Sequence, residues 1–192
     1  MKHETIKLEE AKAKSALIVI DMISDFEFED GEKLFQHALP AAKKIAKLKE
    51  RAKSVNVPVI YVNDNYGKWQ SDFRQLIEHC LKNDVRGRSI AEILMPNDDD
   101  FFILKPSYSG FFQTPLELLL HHLGIKNLII TGVAGNMCVQ FTANDAYMRD
   151  YTIVIPKDTI ASNSEAANQW ALHIMEEVLK ADIKDIEDIK LG

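Results

Sequence analysis

The stretch Ile129-Ile130-Thr131-Gly132-Val133-Ala134-Gly135-Asn136-Met137-Cys138 decides how the chain folds. It is an apolar run, then a turn of small residues, then the start of a helix that the spacing predicts from Asn136 to Arg149. A short continuous apolar run between turn signals reads as a strand buried on both faces. The Cys138 thiol falls in the first turn of the following helix. Free backbone N–H groups and the positive end of the macrodipole meet it there, and both favour thiolate over thiol. A lone cysteine at such a junction is more often a small buried hydrophobe. The reading therefore turns on what else the fold brings to it.

Outward from this unit, apolar runs alternate with helical patterns. Strands are predicted at Ala16 to Ile20, Val57 to Val62, Phe101 to Leu104, Leu128 to Thr131 and Thr152 to Ile155. A short sixth strand or a loose tail is placed at Ile183 to Lys190. Helices are predicted at Pro40 to Val55, Ser71 to Leu81 with Ser71 as cap, Thr114 to Leu123, and Ser164 to Leu179. Thr114-Pro115 opens the third of these and Gly124 stops it. The segments Asp25 to Phe35, Asn63 to Trp69 and Lys105 to Gln113 read as irregular. Strand–helix alternation with continuous apolar strands implies a doubly wound, mostly parallel sheet of five to six strands. The fold class is α/β, a three-layer α/β/α sandwich, and one domain spans residues 1–192. Ligands of open parallel sheets bind at the carboxyl ends of the strands, where the irregular segments lie.

Composition narrows the function. The chain of 192 residues is 46% hydrophobic and carries a formal charge of −6, with a pI near 5.5. That length and apolar content fit one full core. An acidic surface repels phosphate backbones, which argues against nucleic acid as a partner. Lys43, Lys44, Lys47 and Lys49 are explained as one solvated helix face. Cys80 and Cys138 make no disulfide framework. No apolar N-terminal run reads as a signal peptide, and no stretch is long enough for a membrane span. The expected compartment is the reducing cytoplasm, where a thiol stays reactive.

Three polar residues stand at the strand ends. Asp21 ends the first strand, Lys105 ends the third, and Cys138 follows the fourth. A parallel sheet sets all three on one edge. A carboxylate, an ammonium and a thiol together form a nucleophilic set of base, cation and nucleophile. Singly, Asp21 is a turn cap and Lys105 a solvated charge; their convergence carries the weight. Aromatic residues on the same loops, Phe26, Tyr66, Trp69, Tyr108 and Phe111, are candidates to line a pocket for a small, flat or apolar amide. Packing of the loops themselves explains each of them equally well.

With these residues named, the chain resembles the isochorismatase-like cysteine hydrolases. The resemblance rests on Leu17-Ile18-Val19-Ile20-Asp21-Met22, on Lys105 with Ser109-Gly110-Phe111 and Thr114, and on Thr131 to Val139. Phe141 to Tyr147 and Pro156-Lys157-Asp158 extend it. The ordered set covers nearly the whole chain. It implies the Rossmann-like sheet of that family and a catalytic triad of Asp21, Lys105 and Cys138. It further implies a cis peptide before Ala134, backbone N–H groups of Ala134 and Cys138 as an oxyanion hole, and a homo-oligomer whose partner subunit closes the crevice. A dimer or a tetramer of dimers is expected.

The cysteine at position 138 points to C–N hydrolysis of a small amide, ureido or carbamoyl compound, because the vinyl-ether-cleaving isochorismatases lack that residue. Nicotinamidases carry an Asp-x-His metal motif and a later His-Cys pair. Here the motif reads Asp64-Asn65-Tyr66, and only His79-Cys80 matches. One carboxylate and one imidazole are too few to hold a metal well, so no metal and no cofactor are expected. The alternatives are a metal-dependent nicotinamidase-like enzyme using Asp64 and His79, a catalytically idle oligomeric binding protein, and a redox-sensing thiol at Cys138. Arg149 is left between a subunit interface and a substrate contact. His121 and His122 need no role beyond the end of their helix.

Overall fold

The computed structural model describes residues 14–67, 72–82 and 84–191. Trp69 and the cap proposed at Ser71 lie outside them. The central strand β1 (Lys14–Ile20) is flanked by β2 (Val59–Asp64) and β4 (Ile125–Val133). Outside these lie β3 (Phe101–Lys105), β5 (Thr152–Pro156) and β7 (Asp182–Lys184), in the order β3-β2-β1-β4-β5-β7. Every pairing is parallel. The order reverses direction between β1 and β4, and a parallel sheet opens its ligand crevice at such a point.

Among the described residues the sheet has seven strands rather than five or six. The additional one, β6 (Ile160–Ala161), is two residues long and has no periodicity to read. It pairs with Gly132 and Val133, beyond the point where β5 pairs with Asn127 to Ile129. The last strand stops at Lys184 and gives way to a 3₁₀ turn at Ile186–Asp188, so the run to Lys190 is only partly extended.

Alternate residues of β1 enter opposite cores, as a strand's period of two requires. Leu17 and Val19 pack under α1 (Gly31–Ser54), α2 (Phe73–Lys82) and α3 (Arg88–Ile93). Ala16, Ile18 and Ile20 pack under α4 (Leu116–Leu123), α5 (Gln140–Tyr147) and α6 (Glu165–Glu177). The three-layer sandwich is thereby built. None of the described helices is long and apolar enough to cross a membrane.

Two of the boundaries that differ from expectation have a direct physical cause. Helix α1 begins at Gly31, not Pro40, because Leu34 and Ala38 continue the buried stripe of Ala41, Ala42, Ile45 and Leu48. Pro40 is tolerated inside it on the exposed side. Helix α2 is opened by Asp72, whose Oδ1 accepts the Gln75 N–H at 2.8 Å. Helix α3 was not anticipated: six residues are too few for a helical repeat to show.

Candidate active site

Strand β1 delivers Asp21 to the carboxyl edge. Its N–H still bonds Val62 O (3.0 Å), and the chain then turns with φ +51°. Asp21 Oδ1 accepts the Asp64 N–H at 2.7 Å, which ties the turn to the end of β2. Lys105 ends edge strand β3 in register with Asp64. Cys138 arrives from β4 through Gly132, whose φ of +114° and close approach to Ile20 O exclude a Cβ. The Val133–Ala134 peptide bond is cis. Gly135–Val139 forms a π-helical turn, with the Val139 N–H reaching back to Ala134 O at 3.2 Å. Turns of this kind often stand at functional sites.

Lys105 is the hinge of the cluster. The residue is fully buried, and its Nζ lies 2.9 Å from Asp21 Oδ2, 3.4 Å from Cys138 Sγ and 3.1 Å from Ser107 O. An ammonium has three N–H donors, and these three acceptors use them all. Asp64 Oδ2 stands 3.7 Å away as a second counter-charge.

Electrostatics assign the protons. Burial pushes the Asp21 carboxyl above its ordinary value, opposed by the Lys105 ammonium. For Lys105, burial disfavours the charge, but Asp21, Cys138 and Asp64 outweigh it and hold the ammonium charged. Burial pushes the Cys138 thiol up to about 12; the Asp21 carboxylate adds to this and Lys105 opposes it. The helix start's pull toward thiolate is therefore outweighed. Dipole stabilisation amounts to roughly 0.3–1 kcal/mol, too little against desolvation and a neighbouring carboxylate. Burial and the Asp21 side chain thus favour the protonated sulfur, beside the Asp21–Lys105 pair.

A cavity of about 420 Å³ reaches this cluster through Asp64, and is lined by Asp25, Asp64, Tyr66, Asp72, Gln75, Leu76, His79 and Leu104. Tyr66, half exposed with its hydroxyl donating to Ser24 Oγ (2.9 Å), is, among the described residues, the one pocket aromatic proposed from sequence that lines it. Phe26 is a correction. It is fully buried in the α1-side core, with ring centroids 6.2 Å from Phe28 and 5.8 Å from Phe35. Phe111 is another. It is buried under α4 against Tyr151 (5.8 Å), with the Arg149 guanidinium 5.1 Å above its ring. Both loops fold back because an aromatic ring gains more from the core than from a solvated crevice. Tyr108 is exposed and packs on Phe141 at 5.3 Å, outside this cavity. Arg149 is committed to Asp145 (2.7 Å) and Glu117 (3.1 Å). Asp25 was missed from sequence; it lies one helical turn's spacing after Asp21 and pairs with His79 at 3.1 Å. A cavity of similar volume between α1 and α6 meets the thiol turn through Ile160, Ser162 and Asn168.

The donors of this cavity do not fit a metal. Asp64 Oδ1 accepts the Tyr66 N–H (2.5 Å) and its Oδ2 faces Lys105, while His79 Nε2 faces Asp25. Among the described residues, no group of three or more His, Cys, Asp or Glu side chains is placed to hold a metal ion.

The sheet order, the crevice at its carboxyl edge and the buried lysine within it define an α/β protein of isochorismatase-like fold. The isochorismatase domain profile matches residues 15–186, and the chain belongs to the isochorismatase family. It is 47% identical over 179 residues to YaaI, an uncharacterized isochorismatase family protein of Bacillus subtilis, covering 93% of this chain and 98% of that one. It superposes on the N-carbamoylsarcosine amidase of Thermoplasma acidophilum with a TM-score of 0.72 and 27% identity, covering 92% of this chain and 99% of the other. The pyrazinamidase/nicotinamidase of Streptococcus mutans gives a TM-score of 0.70 and 28% identity, covering 88% and 99%. The chain is a hydrolase of this family.

Proposed function

We propose that the protein is a metal-independent amidohydrolase that cleaves the C–N bond of a small amide, ureido or carbamoyl compound through a Cys138 thioester. The observation that carries this is the fully buried Lys105 ammonium, shared between Asp21 Oδ2 and Cys138 Sγ. No purely structural need explains a desolvated lysine aimed at a thiol.

Asp21 takes the thiol proton as the sulfur attacks the carbonyl carbon. The negative charge that develops on the carbonyl oxygen is met by the backbone N–H groups of Ala134 and Cys138. The proton on Asp21 then passes to the nitrogen, the C–N bond breaks, and ammonia or an amine leaves. Water attacks the thioester, gives its proton to Asp21, and the acid departs as the proton returns to sulfur. Lys105 holds Asp21 in place and keeps its basicity in check between the two half-reactions. The raised carboxyl of Asp21 suits it to accept the thiol proton, since a base whose pKa stands nearer neutrality holds a proton better.

The test is ammonia release from a panel of small amides, carbamoyl compounds and ureides, run with and without a strong chelator. Release should be unchanged by chelation, because Asp64 and His79 are engaged with protein partners. Loss on chelation that zinc restores would move the reading to a nicotinamidase-like metal enzyme. Absence of release across the panel, with Cys138 no more reactive than Cys80, would move it to the idle binding protein.

The same reading includes a homo-oligomer. Of the apolar residues on and before α5, Val139, Ala143 and Ala146 belong to the core, so they offer no interface. Met137, Phe141, Tyr147 and Met148 are exposed, with Tyr108 against Phe141; Phe112, Trp170 on α6 and Val178 just after it are exposed as well. Surface of this kind is commonly covered by a symmetric copy. Light scattering across a wide dilution range should give two or four times the chain mass of 21.8 kDa. The single-chain mass at every concentration would refute the dimer or tetramer.

A further inference from the structure

Lys105 and Cys138 come from strands that are not neighbours: β2 and β1 lie between β3 and β4. Sheet register alone cannot set the 3.4 Å between Nζ and Sγ: Lys105 is the last residue of β3, but Cys138 lies beyond the end of β4, in the π-helical turn. The chain after Lys105 crosses the sheet edge and lands on α5. One hydroxyl makes the landing. Thr142 Oγ1 accepts the Gly110 N–H at 2.9 Å and donates to Cys138 O at 2.7 Å. A hydroxyl has one proton. Since Gly110 must be the donor in the first bond, that proton is committed to the Cys138 carbonyl. Thr142 is itself fully buried, and a Cβ at Gly110 would meet Val62 Cγ1 of β2 at 2.9 Å and Thr142 Cγ2 of α5 at 3.5 Å, so the loop is packed between the sheet and the helix. Ser109 and Asp145 add a second tie beside it. The same loop supplies Ser107 O, which accepts from Lys105 Nζ at 3.1 Å.

We propose that Thr142 is a positioning residue: its hydroxyl clamps the 106–113 loop to the thiol turn and so fixes the distance between the Lys105 ammonium and Cys138 Sγ. This rests on the triad reading above, since the clamped pair is the one that reading uses. The attraction between an ammonium and a nascent thiolate falls with distance and rises with burial. Freeing the loop therefore lets the ammonium drift and leaves the thiolate less favoured.

The experiment is the second-order rate of iodoacetamide labelling at pH 8, read separately at Cys138 and Cys80 by peptide mass. Thr142→Val keeps the shape and removes the hydroxyl. It should slow Cys138 about tenfold, the equivalent of roughly one pKa unit, with Cys80 unchanged. Thr142→Ser keeps the hydroxyl and should restore the rate. A simple loosening of the fold predicts the opposite sign: both cysteines, and the buried Cys80 above all, would label faster. Faster labelling, an unchanged Cys138 rate in Thr142→Val, or a serine variant as slow as the valine one each overturns the clamp. Should Thr142→Val not fold, Thr142→Ala removes the same hydroxyl and should slow Cys138 about tenfold; no change there overturns the clamp equally. Labelling needs no substrate, so this outcome is read independently of whether any amide is turned over.

Discussion

Cys138→Ala is expected to lose at least about 10⁴-fold in turnover of any amide the wild-type protein hydrolyses, about 5.4 kcal/mol of barrier. No other group among the described residues of the cluster can form the covalent intermediate: Lys105 is held charged, and Asp21 is occupied by Lys105 and the Asp64 N–H. The fold should be nearly untouched. The residue is partly buried, the volume removed is one sulfur, and the Asp21–Lys105 pair survives the change. A stability loss within about 1 kcal/mol follows, as for most substitutions that leave no buried charge unpaired. Cys138→Ser should be as inactive, because an alkoxide is harder to generate than a thiolate in this setting. Near wild-type ammonia release from the alanine variant, in a sample with an unchanged melting curve, would remove the nucleophile and the thioester with it.

Much of this site is legible in the sequence because a parallel sheet does geometric work for free. Asp21, Lys105 and Cys138 are read as one cluster from three strand ends, with no side-chain information. The seat of Cys138 is legible from a small-residue turn that only a strand–helix junction requires. What is not legible depends on how loops close. Phe26 and Phe111 sit on loops beside the crevice, yet each turns inward, since burying a ring outweighs lining a wet cavity. The protonation of Cys138 is hidden for the same reason. Helix position favours the thiolate and is visible in sequence; desolvation and the Asp21 carboxylate oppose it and are visible only once distances exist. Thr142 had one signal available, its place four residues after Cys138, where a threonine hydroxyl can bond the preceding turn's carbonyl. Nothing in the chain's order links it to Gly110.

Asp21→Asn should separate thiol reactivity from catalysis. Asparagine keeps the shape, and its oxygen can still accept the Asp64 N–H or face Lys105. It cannot take a proton, so turnover should fall about 10³-fold or more. Combining it with Cys138→Ala should be little worse than the alanine change alone, because residues of one relay do not contribute additively. Iodoacetamide labelling should move the other way. The Asp21 carboxylate raises the thiol, and Lys105 lowers it; with the carboxylate gone and the ammonium left, Cys138 should label faster at pH 8. Stability should drop by about 3 kcal/mol, since Lys105 loses its nearest counter-charge in a buried setting, and Asp64 at 3.7 Å keeps the loss from being larger. The pH profile carries the same logic. Turnover needs ionised Asp21, whose folded pKa is raised, so activity should decline as pH falls at a pH above the ordinary carboxylate range. Alkylation that slows together with turnover would mean that Asp21 serves to generate the thiolate at rest, and the proton relay proposed here would have to be replaced by a preformed ion pair.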